Sequence, residues 1–298
     1  MSVKEAAAKI KSMETRGALK IAVAAAKALE QEIMDGASYD SLLASGDILR
    51  DARPTAVSLP NAINYVLHLA QEHEHDDPAV ARPMLLADVS DYISRLETSK
   101  EKVAEIGSGL VEDGDVILTI CNSDTVVSVL KRAHKQGKRF SVYACETRPR
   151  LQGHITARAL QAAGVDVTLI VDSAAYYTAK SKGVKKVMVG ADTVYGSGEV
   201  INKIGTSQVA LIAKTLGLPV LVCTESIKLS PYSLQGDSVE IEERDSSEVA
   251  ELPGIRIFNP AFDITRAEDI TTIITEYGLT TPAEISKLIE EKFAWALK

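Results

Sequence analysis

The sequence predicts an α/β protein in which an N-terminal helical domain precedes a Rossmann-like domain with a doubly wound parallel sheet. Residues 1–111 show helical periodicity and no strand pattern. Residues 112–298 alternate short β-rich runs with amphipathic helices. The total of 298 residues suits two domains. Strands that alternate with helices are joined by right-handed crossovers, and these crossovers give a parallel sheet that is covered on both faces.

The first domain is predicted to consist of helices alone. Apolar residues recur at helical spacing from Ala6 to Leu29, with a break at residues 15–17. Further helices are predicted over Tyr39–Leu49, Leu59–Ala70 and Pro83–Ile106, the last one after a polar break at residues 71–78.

The second domain is predicted to contain at least five strands, which are separated by helices. The strands are Asp115–Ile120, Arg139–Cys145, Asp166–Val171, Lys186–Ala191 and Pro219–Cys223, and Ile255–Phe258 and Thr271–Thr275 are expected to extend the sheet. The helices are one that ends at His134, then Leu151–Ala163, Ser173–Lys182, Thr206–Leu216 and a closing helix over Ala283–Leu297.

Composition excludes several classes of function. The formal net charge is −8, with 33 basic against 41 acidic residues, which argues against broad binding to nucleic acid or to anionic membranes. Three cysteines without metal-like spacing, together with an N-terminus that lacks an apolar signal core, favour a cytoplasmic protein. No G-x-G-x-x-G, Walker or G-x-S-x-G motif supports a dinucleotide enzyme, a P-loop enzyme or an α/β-hydrolase.

Two residues that follow predicted strands are candidates for acid–base chemistry, because ligands of open α/β sheets bind at the carboxyl ends of the strands. Cys121 follows the first strand and precedes a helix, whose N-terminus would lower the thiol pKa. Asp192 follows an apolar strand, where partial desolvation would let a carboxyl group keep its proton. The alternatives are a small buried residue for Cys121 and a cap or turn residue for Asp192.

Other segments are candidates for anion binding. Asn202–Thr206 supplies an amide, an ammonium group and a glycine before a helix, although it also reads as an ordinary helix entry. Arginine-bearing turns at Arg16, Arg53 and Arg148 suit phosphate, and each is equally a helix junction with a surface charge. No metal site and no cofactor are expected.

A set of motifs spread over nearly the whole chain identifies a family resemblance. The motifs are Arg16–Ala18, Arg53–Asn61, Glu146–Pro149, Gln152–Gly153, Val171–Ala174, Gly190–Asp192, Asn202–Thr206, Asn259–Asp263 and Ile273–Gly278. The chain resembles the superfamily that joins the alpha, beta and delta subunits of the eukaryotic translation-initiation exchange factor to two sugar-phosphate isomerases. These are methylthioribose-1-phosphate isomerase and archaeal ribose-1,5-bisphosphate isomerase, and the likeness is greatest to the archaeal enzymes.

The resemblance implies an isomerase that converts ribose 1,5-bisphosphate to ribulose 1,5-bisphosphate by ring opening and proton transfer through a cis-phosphoenolate. Cys121 and Asp192 match the family's catalytic pair. The implied pathway is archaeal AMP degradation that feeds RuBisCO, and the implied assembly is a homo-oligomer, either a dimer or a hexamer, with a nucleotide activator left open. The substrate contacts implied are Arg16, Gly17, Ala18, Leu19, Arg53, Ser123, Asp124, Thr125, Asn202, Lys203 and Lys228.

The chain also departs from the family. Ile120 and Asn122 flank the cysteine where the isomerases carry histidines, and residues 226–230 lack the aromatic residues and histidine of relatives. Two alternatives therefore stay open. One is methylthioribose-1-phosphate isomerase, and the other is a non-catalytic regulatory subunit like those of the exchange factor, which generally lack the cysteine.

Overall fold

The N-terminal part of the chain is a set of five helices. A computed structural model describes residues 1–54, 56–236 and 240–297, so Thr55, which belongs to the motif Arg53–Asn61, lies outside the described residues. A capping box at Ser2 starts the first helix. The helices are α1 Val3–Lys11, α2 Ala18–Met34, α3 Tyr39–Arg50, α4 Ser58–Glu72 and α5 Pro78–Ser108.

Helix α5 begins five residues before the predicted start. Asp77 accepts a hydrogen bond from the Ala79 amide at 2.9 Å, and Pro78 occupies the first turn, where it needs no amide partner. The helix is 31 residues long in all and contains Pro83 in its interior. Its first half packs in the core of the helical part, and its second half, through Val103 and Ala104, packs on the sheet that follows.

Strands and helices alternate in the rest of the chain. In order they are β1 Asp115–Thr119, α6 Asp124–Lys135, β2 Phe140–Cys145, α7 Gly153–Gln161, β3 Asp166–Ile170, α8 Ala175–Ser181, β4 Lys186–Val189, β5 Thr193–Tyr195, β6 Val200–Lys203, α9 Thr206–Thr215, β7 Val220–Cys223, β8 Leu229–Ser230, β9 Phe262–Thr265, β10 Thr272–Thr275, β11 Gly278–Thr280 and α10 Ile285–Lys292. In the described ranges, no helix is both long and apolar enough to cross a membrane.

Seven strands form one large sheet in the order β11-β10-β7-β4-β1-β2-β3, parallel except for the β10–β11 pair. Alternate residues of the central strands point to opposite faces. Ile117 and Met188 pack in the core under α5 and α6, whereas Leu118 and Val187 pack under α8 and α9. Because both faces of the central strands are covered, these strands are largely apolar, and the fold class is the predicted doubly wound α/β architecture.

A second, smaller sheet was not predicted from the sequence. It has the strand order β8-β5-β6-β9, and the hairpin of β5 and β6 directly follows β4. The prediction of a strand over Ile255–Phe258 is wrong: the segment lies outside both sheets, and Ile255 and Phe258 are 61% and 76% exposed. The closing helix is shorter than predicted, because α10 ends at Lys292 and only a short 3₁₀ turn follows at Ala294–Ala296.

The order of the large sheet fixes where a ligand can bind. From β1 the chain proceeds to β2 and β3 on one side, then crosses to β4 on the other side of β1. Adjacent strands whose connections leave in opposite directions open a crevice at their carboxyl ends. Cys121 follows β1 and Asp192 follows β4, so both flank that crevice.

Candidate active site

A cavity of about 560 Å³ lies at this crevice, between the start of α2 and the carboxyl ends of the strands. Its volume is within the range of pockets that hold small-molecule ligands. The proposed catalytic pair and all the substrate contacts that the family resemblance implies line it. These residues are Arg16, Gly17, Ala18, Leu19, Arg53, Cys121, Ser123, Asp124, Thr125, Asp192, Asn202, Lys203 and Lys228.

Cys121 adopts a left-handed backbone conformation, with φ +69°, two residues beyond β1. Its N–H donates to Thr147 Oγ1 at 2.8 Å, and its carbonyl accepts a hydrogen bond from Thr156 Oγ1 at 2.8 Å. Helix α6 begins only at Asp124, and Ser123 is its N-cap. Cys121 therefore precedes the N-cap instead of lying in the first turn.

The expectation of a low thiol pKa is wrong for this arrangement of the site. Burial raises the pKa of Cys121 to about 12, and the negative charge of Asp192 acts in the same direction. The backbone of Asn122 and the cations Lys203 and Arg244 lower the pKa of Cys121, but they do not outweigh burial. The thiol is thus protonated at neutral pH.

Asp192 is reached from β4 through Gly190 and Ala191. A Cβ on Gly190 would lie 2.6 Å from Ser123 Oγ, so only glycine lets the end of β4 approach the start of α6 this closely. The Asp192 backbone N–H donates to Ile201 O at 2.9 Å, and its side chain is exposed to the cavity. The partly desolvated environment expected for this carboxyl group is therefore not provided by the protein alone.

Lys228 reaches the cavity from a buried ion pair. Its Nζ lies 2.9 Å from Glu225 Oε2, and Thr125 Oγ1 donates to the other carboxylate oxygen of Glu225. Burial alone would lower the pKa of Lys228, but Glu225 raises it above its ordinary value. Asn61 of α4 fixes the loop, because its Nδ2 donates to Ile227 O at 2.9 Å and to Leu229 O at 2.8 Å.

Lys203 and Arg244 form a second cationic group. Both lie over the ring of Phe262, with the Lys203 ammonium 4.5 Å and the Arg244 guanidinium 5.9 Å from its centroid. Burial and the nearby Arg244 lower the pKa of Lys203 from its ordinary value. Its ammonium also donates to Ala261 O at 2.8 Å.

The anion cradle expected at Asn202–Thr206 is not formed as predicted. Asn202 and Lys203 belong to β6, and the start of α9 is already occupied by the chain's own Asp263. The Asp263 carboxylate accepts hydrogen bonds from the amides of Gly205 and Ser207. Asn202 Nδ2 donates to Thr206 Oγ1 at 3.0 Å. Asn202 and Lys203 both line the cavity, and Lys203 supplies the positive charge of this segment.

The start of α2 is an open helix N-terminus at the wall of the cavity. Gly17 is its N-cap with φ +96°, a conformation that glycine adopts without strain, and it carries no capping side chain. The amides that follow are therefore available to an anion. Within the described part of the chain, the guanidinium groups of Arg16 and Arg53 and the ammonium group of Lys100 make no ion pair or hydrogen bond.

Several charged lining residues were missed by sequence reasoning. Lys20 and Lys100 belong to helices α2 and α5, Arg150 and Arg244 lie in loops, and Glu225 follows strand β7. Arg148, by contrast, is turned away from the cavity and donates to Val249 O at 3.0 Å.

The balance of charge suits an anionic ligand. Among the described lining residues, eight carry positive charge and five carry negative charge. The cations are Arg16, Lys20, Arg53, Lys100, Arg150, Lys203, Lys228 and Arg244, and the acids are Glu97, Asp124, Asp192, Glu225 and Glu240. The site thus combines a thiol and a carboxyl group with a surplus of cations.

Comparisons with known proteins agree with this architecture. The ribose 1,5-bisphosphate isomerase of Archaeoglobus fulgidus is 44% identical, over 99% of this chain and 94% of its own length. Two structures from Pyrococcus horikoshii superpose on the fold. The 5-methylthioribose 1-phosphate isomerase does so with TM-score 0.79, 28% identity and coverage of 98% of this chain and 88% of its own. The translation initiation factor eIF-2B superposes with a TM-score of 0.77 and 29% identity, and the match covers 94% of this chain and 97% of its own. Residues 14–282 match the model of one family, and the chain therefore belongs to the initiation factor 2 subunit family.

Proposed function

We propose that this chain is an isomerase that converts ribose 1,5-bisphosphate to ribulose 1,5-bisphosphate. One observation carries the proposal: Cys121 and Asp192, from the ends of neighbouring strands, line one cavity whose wall has a surplus of cations. A thiol and a carboxyl group are an acid–base pair, and the cations suit a substrate with two phosphates. The full-length relative from Archaeoglobus fulgidus, which carries this activity in its name, supports the assignment.

The substrate's two phosphates would bring up to about four negative charges, at −1.5 to −2 each. Arg16, Arg53 and Lys100 lie on the helical side of the cavity with the open N-terminus of α2, whereas Lys203 and Lys228 lie on the side of the two sheets. Cations on opposite walls can hold a phosphate at each end of an extended sugar. The backbone of Gly17, Ala18 and Leu19, together with Ser123, Asp124, Thr125 and Asn202, completes the proposed substrate contacts.

The reaction balances with this pair of residues. Asp192, as the carboxylic acid, donates its proton to the ring oxygen while the bond between C1 and that oxygen breaks. Cys121, as the thiolate, then removes the proton from C2, and the C2 hydroxyl gives its proton to the Asp192 carboxylate, which leaves a cis-phosphoenolate. The thiol returns its proton to C1 as the C2 ketone forms. The product is ribulose 1,5-bisphosphate, and both residues regain their starting forms.

This mechanism requires one proton to move from the thiol to the carboxylate before catalysis, because burial and the charge of Asp192 raise the pKa of Cys121. A substrate that fills the cavity would exclude water from the exposed Asp192 carboxylate and favour its protonation. Protonation of Asp192 removes the charge that opposes the thiolate, so ligand binding would convert the pair to its active form.

The biological setting and the assembly are part of the proposal. The product suits archaeal AMP degradation that feeds RuBisCO, with a nucleotide as a candidate activator. We propose a homo-oligomer because exposed apolar side chains gather at the edge strand β3 and the start of α8, at Leu169, Val171, Tyr176 and Tyr177. Its mass in solution, measured by sedimentation, would be a multiple of 32.0 kDa.

The deciding experiment compares the wild type with Cys121→Ser and Asp192→Asn on ribose 1,5-bisphosphate and on methylthioribose 1-phosphate. Each variant is expected to melt cooperatively and to lose turnover of the bisphosphate by at least about 10²-fold, the low end for a positioned acid or base. Wild-type turnover of the monophosphate alone would indicate the methylthioribose-1-phosphate isomerase reaction instead. Absence of turnover of either sugar would favour the non-catalytic regulatory subunit.

A further inference from the structure

We infer that Thr147 and Thr156 are positioning residues that hold the Cys121 backbone in the conformation from which its thiol faces the cavity. This inference rests on the proposed catalytic role of Cys121. Neither threonine lines the cavity, so neither is proposed to contact the substrate.

The conformation of Cys121 requires support from its surroundings. Its φ of +69° places it in the left-handed region, which a residue with a Cβ atom adopts only at a cost in strain. Such residues persist where neighbouring structure determines them, and they cluster at functional sites. If the backbone relaxed to negative φ, the Cβ–Sγ bond of Cys121 would point in a different direction and leave the position beside Asp192.

The two threonine hydroxyls bind both sides of the strained residue. Thr147 Oγ1 accepts the Cys121 N–H at 2.8 Å, and Thr156 Oγ1 donates to the Cys121 carbonyl at 2.8 Å. Both threonines are only 1% exposed, so water does not compete for these hydrogen bonds. Removing either hydroxyl would leave a peptide group of Cys121 without this partner.

The threonines are themselves held by three elements of the fold. Thr147 follows β2, and its hydroxyl also donates to Cys145 O at 3.1 Å. The amides of Thr147 and Arg148 donate to the two carboxylate oxygens of Asp172, just after β3, at 2.7 Å each. Thr156 belongs to α7. The ends of β2 and β3 and the helix α7 thus fix the position of Cys121.

The test replaces each threonine by valine, which keeps the shape but removes the hydroxyl, and by serine, which keeps the hydroxyl. The valine variants are expected to lose kcat by about 10–10²-fold, the effect of a small misplacement of a reacting group, while KM changes less than about 2-fold. The serine variants should restore most of kcat. Thr178→Val is the control, because Thr178 is buried in α8 and does not line the cavity.

A second readout does not depend on turnover. Cys145 and Cys223 are fully buried, so iodoacetamide should modify Cys121 alone in the folded protein. A displaced thiol has a different distance to Asp192 and a different exposure. The pH profile of Cys121 alkylation should therefore shift in both valine variants and not in Thr178→Val.

The outcomes separate this inference from the proposed function. If both valine variants keep wild-type kcat and alkylation profiles while Cys121→Ser abolishes turnover, the inference is wrong and the proposed function stands. If Cys121→Ser turns over at the wild-type rate, the catalytic role of Cys121 fails and this inference fails with it, whereas a wild type that turns over neither sugar would overturn the proposed function itself. Should Thr147→Val not fold, Thr156→Val and its serine counterpart decide the matter, because Thr156 lies on a different element.

Discussion

At the scale of single residues, the protonation of Cys121 results from opposing influences. Burial and the Asp192 carboxylate raise the pKa of the thiol to about 12, whereas Lys203 and Arg244 act to lower it. A ligand or substitution that changes either charge must therefore change the reactivity of the sulfur. The residue is thus a direct reporter of the electrostatics of the cavity.

Alkylation of Cys121 tests this balance. Because its pKa is about 12, the thiolate fraction and the alkylation rate of the wild type should rise about ten-fold per pH unit from pH 7 to about pH 10. Asp192→Asn removes a negative charge and lowers the pKa of Cys121. It should therefore speed alkylation at pH 8. If the pKa of Cys121 falls by one pH unit, the alkylation rate should rise roughly ten-fold. Mass spectrometry after timed exposure to iodoacetamide measures the rate.

Asp124→Asn is the matched control for that experiment. Asp124 also lines the cavity, but its charge lies 3.6 Å from the Lys20 ammonium, and it is absent from the groups that shift the Cys121 pKa. Its substitution should leave the alkylation rate close to that of the wild type. Equal or slower alkylation of Asp192→Asn would contradict the electrostatic account.

The positions of the site residues could be predicted from the sequence where the strands that precede them could be predicted. The rule that ligands bind at strand ends located Cys121 and Asp192, and the family resemblance implied Arg16, Arg53 and Lys228. Protonation was not predictable, because it depends on burial and on charges such as Arg244 that lie far apart in the chain. The hydroxyls that hold Cys121 come from residues 26 and 35 positions later, which no local pattern reveals.

At the scale of elements, the large sheet was predictable and the small one was not. The strands β1, β2 and β4 are apolar runs bounded by polar turns, which is the pattern of strands buried on both faces. Strand β5 has only three residues, and β6 ends in Asn202 and Lys203, whose polar side chains suggested a loop. Ile255–Phe258 has the composition of a strand, but no neighbouring strand in the described ranges pairs with it.

The contact between α4 and the loop of Lys228 makes a prediction at this scale. Asn61 is buried and donates to two backbone carbonyls that flank Lys228. Asn61→Leu leaves these carbonyls without donors, which should lower the free energy of unfolding by roughly 1–3 kcal/mol for each unsatisfied group. Because Lys228 is then less well fixed, KM for the bisphosphate should also rise. Urea unfolding and steady-state kinetics measure the two effects.

Asn64→Leu provides the comparison on the same helix. Asn64 bonds to the side chains of Arg50 and Tyr232, which are half-buried and can turn to water. Its substitution should therefore cost less stability and leave KM unchanged. A KM increase in Asn64→Leu as large as in Asn61→Leu would show that the helix as a whole, and not the Asn61 contact, fixes Lys228.

At the scale of the whole molecule, the distribution of charge matters more for the binding of an anionic ligand than the net charge does. The chain carries a net charge of −8, yet its cavity is lined by eight cations and five acids among the described residues. An acidic exterior repels a sugar bisphosphate at long range, whereas the cavity attracts it at short range. Salt screens these charges. If the attraction by the cations of the cavity dominates, binding of the bisphosphate should weaken as the ionic strength rises.

We expect KM for ribose 1,5-bisphosphate to rise with KCl, roughly ten-fold from 50 to 500 mM, while kcat at saturation stays constant. Arg16→Gln removes an unpaired cation from the cavity, so it should raise KM at low salt and weaken the dependence of KM on KCl. Arg256→Gln changes the net charge equally at an exposed position outside the cavity, and it should behave as the wild type. If both variants change the salt dependence alike, the net charge of the protein governs binding, and the local surplus of cations in the cavity does not.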